Sequence, residues 1–134
     1  MKILSIEHVA IATDSLEETA PFWRDVLGIP HRSTEVVESE GVTIGIYDTG
    51  QGKVELLTGH GNDSPVKNFL KNKGPGLHHL CLGVEDIESA IKELQEMGIR
   101  LVAERPRTGS GGYRYTFIHP ESTGGVLVEL CELS

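Results

Sequence analysis

The chain has 134 residues, 38% hydrophobic and 24% charged, which is enough for one globular domain and too apolar for a disordered protein. Its formal net charge of −8 argues against a nucleic-acid partner, because phosphate backbones attract basic surfaces. Two cysteines are too few for the disulfide framework of a secreted domain, and no apolar stretch is long enough to span a bilayer, so we predict a cytoplasmic protein with no membrane partner.

The first predicted element is an apolar strand, IEHVAIA, which contains His8. A helix follows, with Ser15 as its predicted N-cap. Pro21 predicts a kink or a separate first turn, since proline removes a backbone hydrogen bond. The apolar residues of this helix recur at the spacing of one helical face; they are Leu16, Ala20, Trp23 and Leu27.

Three further strands and a short helix complete the first half of the chain. Segments rich in valine, isoleucine and threonine predict strands within residues 35–38, 42–48 and 53–58. The helix, over residues 64–74, has Pro65 at its first position and Gly74 just past its end, as their backbone preferences require. We interpret it as a linker between a first module, residues 1–60, and a second, residues 75–134, within one domain.

The second module repeats the pattern of the first. LHHLCLGVEDIESAIKELQEMGI, starting at Leu77, resembles IEHVAIATDSLEETAPFWRDVLGI, starting at Ile6. Asp86 is the predicted N-cap of its helix, and strands are predicted at residues 100–103, 113–119 and 126–131. The apolar stripe of the helix consists of Ile87, Ala90, Ile91, Leu94 and Met97.

A histidine and a glutamate recur at equivalent places in the two modules. Glu55, in VELL, lies 47 positions after His8, and Glu129, in VELC, lies 50 positions after His79. Strand alternation turns all four side chains away from the apolar faces of their strands. A single histidine in a strand is more often a hydrogen-bonded core residue. Two histidines and two glutamates at equivalent positions of the two modules instead favour a site for one divalent metal ion.

The duplicated unit resembles the vicinal oxygen chelate (glyoxalase) superfamily. Within it, IEHVAIA, GLHHLCLGVEDI and FIHPESTGGVLVEL are similar to the methylmalonyl-CoA epimerases. The resemblance implies an α+β fold, in which two βαβββ modules form a curved eight-stranded mixed sheet with helices on its outer face. It also implies a homodimer and one divalent ion (Co, Ni, Mn or Zn, with Co favoured) on His8, Glu55, His79 and Glu129.

The implied activity is interconversion of the 2R and 2S forms of methylmalonyl-CoA through an enolate. We expect Glu129 to exchange the C2 proton on one face and Glu55 on the other. A carboxylate proposed as a base in some members falls on Ile44 here, which leaves Glu55 as the best available candidate. Substrate-binding candidates are Arg105, Arg107 and Arg114, which suit a carboxylate or a coenzyme A phosphate but singly could also be solubilising, and His119 beside a glycine-rich turn.

Three other functions fit parts of the same pattern. A lactoylglutathione lyase resembles this architecture, uses two histidines and two glutamates, and also transfers a proton. A metal-free small-molecule-binding protein of the same fold would not need four ligand residues in register. An iron dioxygenase would use only one carboxylate in its facial triad.

Overall fold

The computed structural model describes residues 1–133 and has an α+β architecture. Its helices are α1 (Leu16–Pro21), α2 (Pro65–Lys73) and α3 (Ile87–Glu96). Its strands are β1 (Ile3–Ala12), β2 (His31–Val37), β3 (Val42–Asp48), β4 (Lys53–Gly59), β5 (Gly76–Val84), β6 (Arg107–Thr108), β7 (Arg114–Ile118) and β8 (Val128–Glu132).

The strands form a mixed eight-stranded sheet, and each half of the chain contributes four adjacent strands to it. Their orders are β2-β3-β4-β1 and β5-β8-β7-β6. In each half, the first and last strands of the module pair in parallel and the other pairs are antiparallel. The repeated order confirms the predicted α+β fold built from two βαβββ modules.

By internal packing the chain divides into two compact units. The first unit is His8–His78, and the second unit combines Met1–Glu7 with the chain from His79 onward. Within the part of the chain described, no helix combines the length and the apolar composition that crossing a membrane requires.

In the first unit, α1 packs on one face of the strands and α2 on the other. Ser15 caps α1 as predicted, its side chain accepting a hydrogen bond from Glu18 N. The apolar residues that pack with α1 include Ile11, Leu56 and Trp23. The linker helix α2 instead packs through Val66, Phe69 and Leu70 on the face that carries Ala10, Ala12, Ile44 and Leu57.

At Pro21, where a kink or a separate first turn was predicted, the helix instead changes from α to π geometry, and this changes which residues α1 buries. The α-helix ends at Pro21 and continues as a π-helical turn, Phe22–Val26, in which Leu27 N donates to Phe22 O at 3.0 Å. A π turn holds one more residue than an α turn, and it rotates the residues after it about the helix axis. Leu27, predicted on the apolar face, is therefore 51% exposed, and Ile29 packs with this core instead.

The core of the second unit lies between α3 and strands β5, β7 and β8. Asp86 caps α3 as predicted, accepting from Glu88 N and Ser89 N. Met97, the predicted end of the apolar stripe, follows the last helical residue and is 67% exposed. The buried stripe consists of Ile87, Ala90, Ile91 and Leu94, which pack with Val84, Ile118 and Leu130.

The strand predicted at residues 100–103 is reduced to one bridge, between Leu101 and Ile118. The strand that pairs with β7 lies further along the chain, at β6, where Arg107 is registered with Tyr115. Pro106 lies between these two points and has no N–H to donate to a ladder. Its presence explains why pairing is interrupted before β6.

Candidate active site

The first unit brings together His8 and Glu55, on the parallel neighbours β1 and β4. Glu55 is registered with Ala10, two residues past His8, so both side chains project from the same face. His8 Nδ1 lies 3.2 Å from Glu55 Oε2, and each side chain is only 7% exposed. A buried carboxylate therefore faces a buried imidazole.

The second unit repeats this arrangement with His79 and Glu129. Glu129 is registered with Cys81, again two residues past the histidine. His79 Nε2 lies 2.9 Å from Glu129 Oε1, and both residues are buried. The duplication predicted from the sequence therefore extends to the relative register of histidine and glutamate.

In each unit the pair points away from the face on which the module's own helix packs. Ile11 and Leu56, whose positions alternate with those of the first pair, pack with α1. Leu82 and Leu130 pack in the same way with α3. Strand alternation thus places the polar pairs on the faces opposite α1 and α3.

The donor chemistry of the pairs fits a divalent metal ion. Each pair supplies an imidazole nitrogen and a carboxylate oxygen, ligand types that borderline divalent ions accept. Both pairs also belong to histidine and glutamate groups that could hold an ion. A buried carboxylate is costly unless it is compensated by a cation or by hydrogen bonds, so a cation here would offset the cost of burial.

Two aromatic residues that the sequence did not single out lie beside the pair in the second unit. Phe117 is registered with Glu129 across β7 and β8, and its ring stands 5.1 Å from the His79 ring at 90°. Tyr115 lies 5.7 Å from Phe117 at 79°. The alternation of these two residues along β7 is visible in the sequence, but the register of Phe117 with Glu129 depends on the turn between β7 and β8, whose conformation the sequence does not determine.

Arg105 and Arg107 line a small cavity of the second unit. Its walls also include Val102, Ala103, Tyr115 and Phe117. Both arginines are exposed. The cavity connects these two predicted substrate-binding residues with the aromatic side chains beside His79.

The other two predicted substrate-binding residues have local structural partners. Arg114 donates to the Glu132 carboxylate at 3.1 Å, and that carboxylate also accepts from Ile87 N at the start of α3. Arg114 therefore lies on the α3 face, opposite His79 and Glu129. His119 Nδ1 accepts from Glu121 N at 3.1 Å and caps the turn after β7.

Cys81 and Cys131 are free and buried, as predicted for packing residues. Their side chains pack with Tyr115 and Phe117. The hydrogen bond between the two thiols, together with burial and the charge of Glu129, raises the pKa of Cys81 far above its usual value. The Cys81 thiol therefore remains protonated and acts as a small apolar group.

Residues 7–117 match the model of the glyoxalase/bleomycin resistance protein/dioxygenase superfamily. Among curated proteins, the mitochondrial methylmalonyl-CoA epimerase of Mus musculus is 39% identical over 96% of this chain and 73% of its own length.

Solved structures of similar proteins cover nearly the whole chain. The methylmalonyl-CoA epimerase of Mycobacterium tuberculosis superimposes with a TM-score of 0.94 at 30% identity, over 98% of this chain and 89% of its own. A variant of the Streptomyces coelicolor methylmalonyl-CoA epimerase, in complex with 2-nitronate-propionyl-CoA, gives 0.93 at 32% identity, over 99% and 96%.

Proposed function

Because the chain belongs to the methylmalonyl-CoA epimerase family of the glyoxalase superfamily, and is thus an epimerase, we propose that it interconverts the 2R and 2S forms of methylmalonyl-CoA with one divalent ion. The observation that supports metal dependence is the repeated buried contact between imidazole and carboxylate, at 3.2 Å in the first unit and 2.9 Å in the second. Such repetition is unexpected for four unrelated core residues.

We propose that His8, Glu55, His79 and Glu129 together hold this ion. Two imidazoles and two carboxylates leave coordination positions for substrate on an ion with five or six ligands, and the two carboxylates balance its charge. Cobalt is the favoured ion, with nickel, manganese and zinc as alternatives. When bound, the ion would act as a Lewis acid that stabilises negative charge developing on the substrate oxygens.

The reaction removes a proton from C2, which lies between the thioester carbonyl and the carboxylate, and returns a proton to the opposite face. Inversion therefore needs an acid/base group on each side of the carbon. We assign Glu129 to one face and Glu55 to the other, since they are buried carboxylates at equivalent positions of the two units. Ile44, where the family comparison suggested a base, is buried among apolar side chains and has no proton to exchange.

We further propose that Arg105 and Arg107 bind an anionic group of the substrate, either its carboxylate or a phosphate of coenzyme A. Guanidinium groups suit both anions, and both arginines line the cavity that reaches Phe117. Arg114 is left out because its guanidinium pairs with Glu132. We also propose a homodimer, which light scattering of the purified protein would test.

A paired assay distinguishes this proposal from a lactoylglutathione lyase. The purified protein, with its bound metal measured, is given either (2S)-methylmalonyl-CoA or the hemithioacetal of methylglyoxal and glutathione. We expect epimerisation of the first and no turnover of the second. Turnover of the hemithioacetal alone would identify a glyoxalase, and turnover of neither substrate by a protein that takes up no added Co²⁺ would identify a metal-free binding protein.

A further inference from the structure

Phe117 contacts the histidine and neighbours the glutamate of the second unit's pair. Its position opposite Glu129 in the β7–β8 register puts the two side chains on the same face of the sheet. Its ring also meets the His79 ring edge to face, with the centroids 5.1 Å apart. This geometry is favoured between aromatic rings and restricts rotation of the imidazole.

The Phe117 ring is in turn packed against the Tyr115 ring. Tyr115, only 6% exposed, meets the Phe117 ring at 79° and packs on Cys81 and Cys131. The backbone at Gly109 closes over Tyr115: a Cβ there would lie 2.8 Å from Tyr115 Cε1, so a larger residue would displace the ring. The support for His79 thus continues from Phe117 through Tyr115 to the loop before β7.

The first unit has aliphatic residues at the equivalent positions. Ile46 is registered with Glu55, as Phe117 is with Glu129. Ile44 is registered with Leu57, as Tyr115 is with Cys131. The duplicated scaffold therefore supports its two histidine–glutamate pairs by different means.

We propose that Phe117 is a positioning residue that fixes the His79 ring with Nε2 directed at Glu129, and so prepares the second unit's pair for the metal ion. This inference rests on the proposed metal site. A ligand that is already oriented loses less freedom on binding. Loss of the hydrogen-bonded partners that orient metal-binding histidines typically weakens metal binding by about 10- to 100-fold, and a ring contact acts on the same orientation. An aliphatic side chain at position 117 would fill space without fixing the plane of the imidazole.

The test is to titrate the metal-stripped full chain with Co²⁺ and to measure the Kd by calorimetry. We expect Phe117→Leu to raise the Kd for Co²⁺ about tenfold, near the lower end of that range. Phe117→Tyr keeps the ring and should remain within about twofold of the wild type. Ile46→Leu is the matched control, because it places the same aliphatic residue opposite Glu55, and it should also leave the Kd nearly unchanged.

Thermal unfolding of the metal-free proteins separates positioning from loss of folding. If Phe117→Leu does not fold, Phe117→Met, whose flexible side chain adapts better to the space of the ring, replaces it with the same expected increase in Kd. An unchanged Kd in the folded aliphatic variant, or equal weakening in Ile46→Leu, would overturn the inference while leaving the metal site intact. Failure of the wild-type protein to bind Co²⁺ would instead reject the proposed metal site and the inference with it.

Discussion

Replacing Glu129 by glutamine removes the charge and basicity of the carboxylate while keeping its size. Glu129 is buried, and its Oε1 lies 2.9 Å from His79 Nε2, so solvent has little access to replace the lost base. If Glu129 moves the C2 proton, the variant must lose most of its turnover even when the site is saturated with metal.

The expected loss follows from the chemistry of the lost group. A positioned acid or base typically contributes about 10²- to 10⁴-fold, which corresponds to roughly 3–5 kcal/mol of transition-state stabilisation. The metal-free variant should unfold no more easily than the wild type. The amide can still hydrogen-bond to His79, and removing a buried charge removes the cost of its desolvation.

The direct assay uses NMR to measure how fast the C2 hydrogen of methylmalonyl-CoA exchanges with deuterated solvent. Glu132→Gln is the matched control, because it makes the same chemical change three residues further along β8, on the opposite face. Glu132 accepts from Ile87 N and pairs with Arg114, so this control should lose about 1–2 kcal/mol of stability and keep its activity.

We therefore expect Glu129→Gln to lose activity but keep its stability, and Glu132→Gln to lose stability but keep its activity. Undiminished C2 exchange in Glu129→Gln, at a metal occupancy equal to that of the wild type, would refute its role as a base. If Glu55→Gln also exchanged at the wild-type rate, neither carboxylate would be an acid/base group. A loss of exchange in Glu132→Gln would show that the assay reports general damage to β8.

Two further predictions concern stability. Gly59→Ala should cost about 1–3 kcal/mol in urea unfolding, because its Cβ would lie 2.5 Å from Ser64 Oγ at the start of α2; unchanged stability would mean that α2 can shift at no cost. Hydrogen bonds from the backbone and side chain of Ser89 hold the pKa of Asp86 below its usual value. The stability that this carboxylate gives is therefore complete above the unfolded pKa, near 4, and is lost as the pH falls through the lower folded pKa. In unfolding measured from pH 7 to pH 2, Asp86→Asn should show a smaller decrease than the wild type, and an equal decrease would contradict the assignment.

Much of the fold could be predicted because the duplicated modules repeat strong local signals. The strand predicted at 42–48 has the bounds observed for β3, and Ser15 and Asp86 cap their helices as predicted. The histidine–glutamate pairs within each unit also followed from the repeat, because the two modules carry them at equivalent strand positions and strand alternation fixes which side chains share a face.

The errors arose where backbone geometry departs from a regular period. Leu27 lies beyond a π turn and Met97 beyond the last turn of α3, so helical spacing assigned both to a face that they do not share. The strand predicted at 100–103 is reduced to one bridge because Pro106, which has no N–H to donate, delays regular pairing until β6. The turn between β7 and β8, which contains Gly124 and Gly125, sets the register of Phe117 with Glu129, so sequence spacing alone could not identify that contact.

The central claim, that a bound divalent ion is required for epimerisation, is tested most directly by removing the metal and restoring it. The purified chain is stripped with a chelator, its metal content is measured, and interconversion of (2R)- and (2S)-methylmalonyl-CoA is followed before and after Co²⁺ is added. We predict that activity disappears on stripping and returns in proportion to the Co²⁺ bound. Full activity in protein that demonstrably contains no metal would contradict the account.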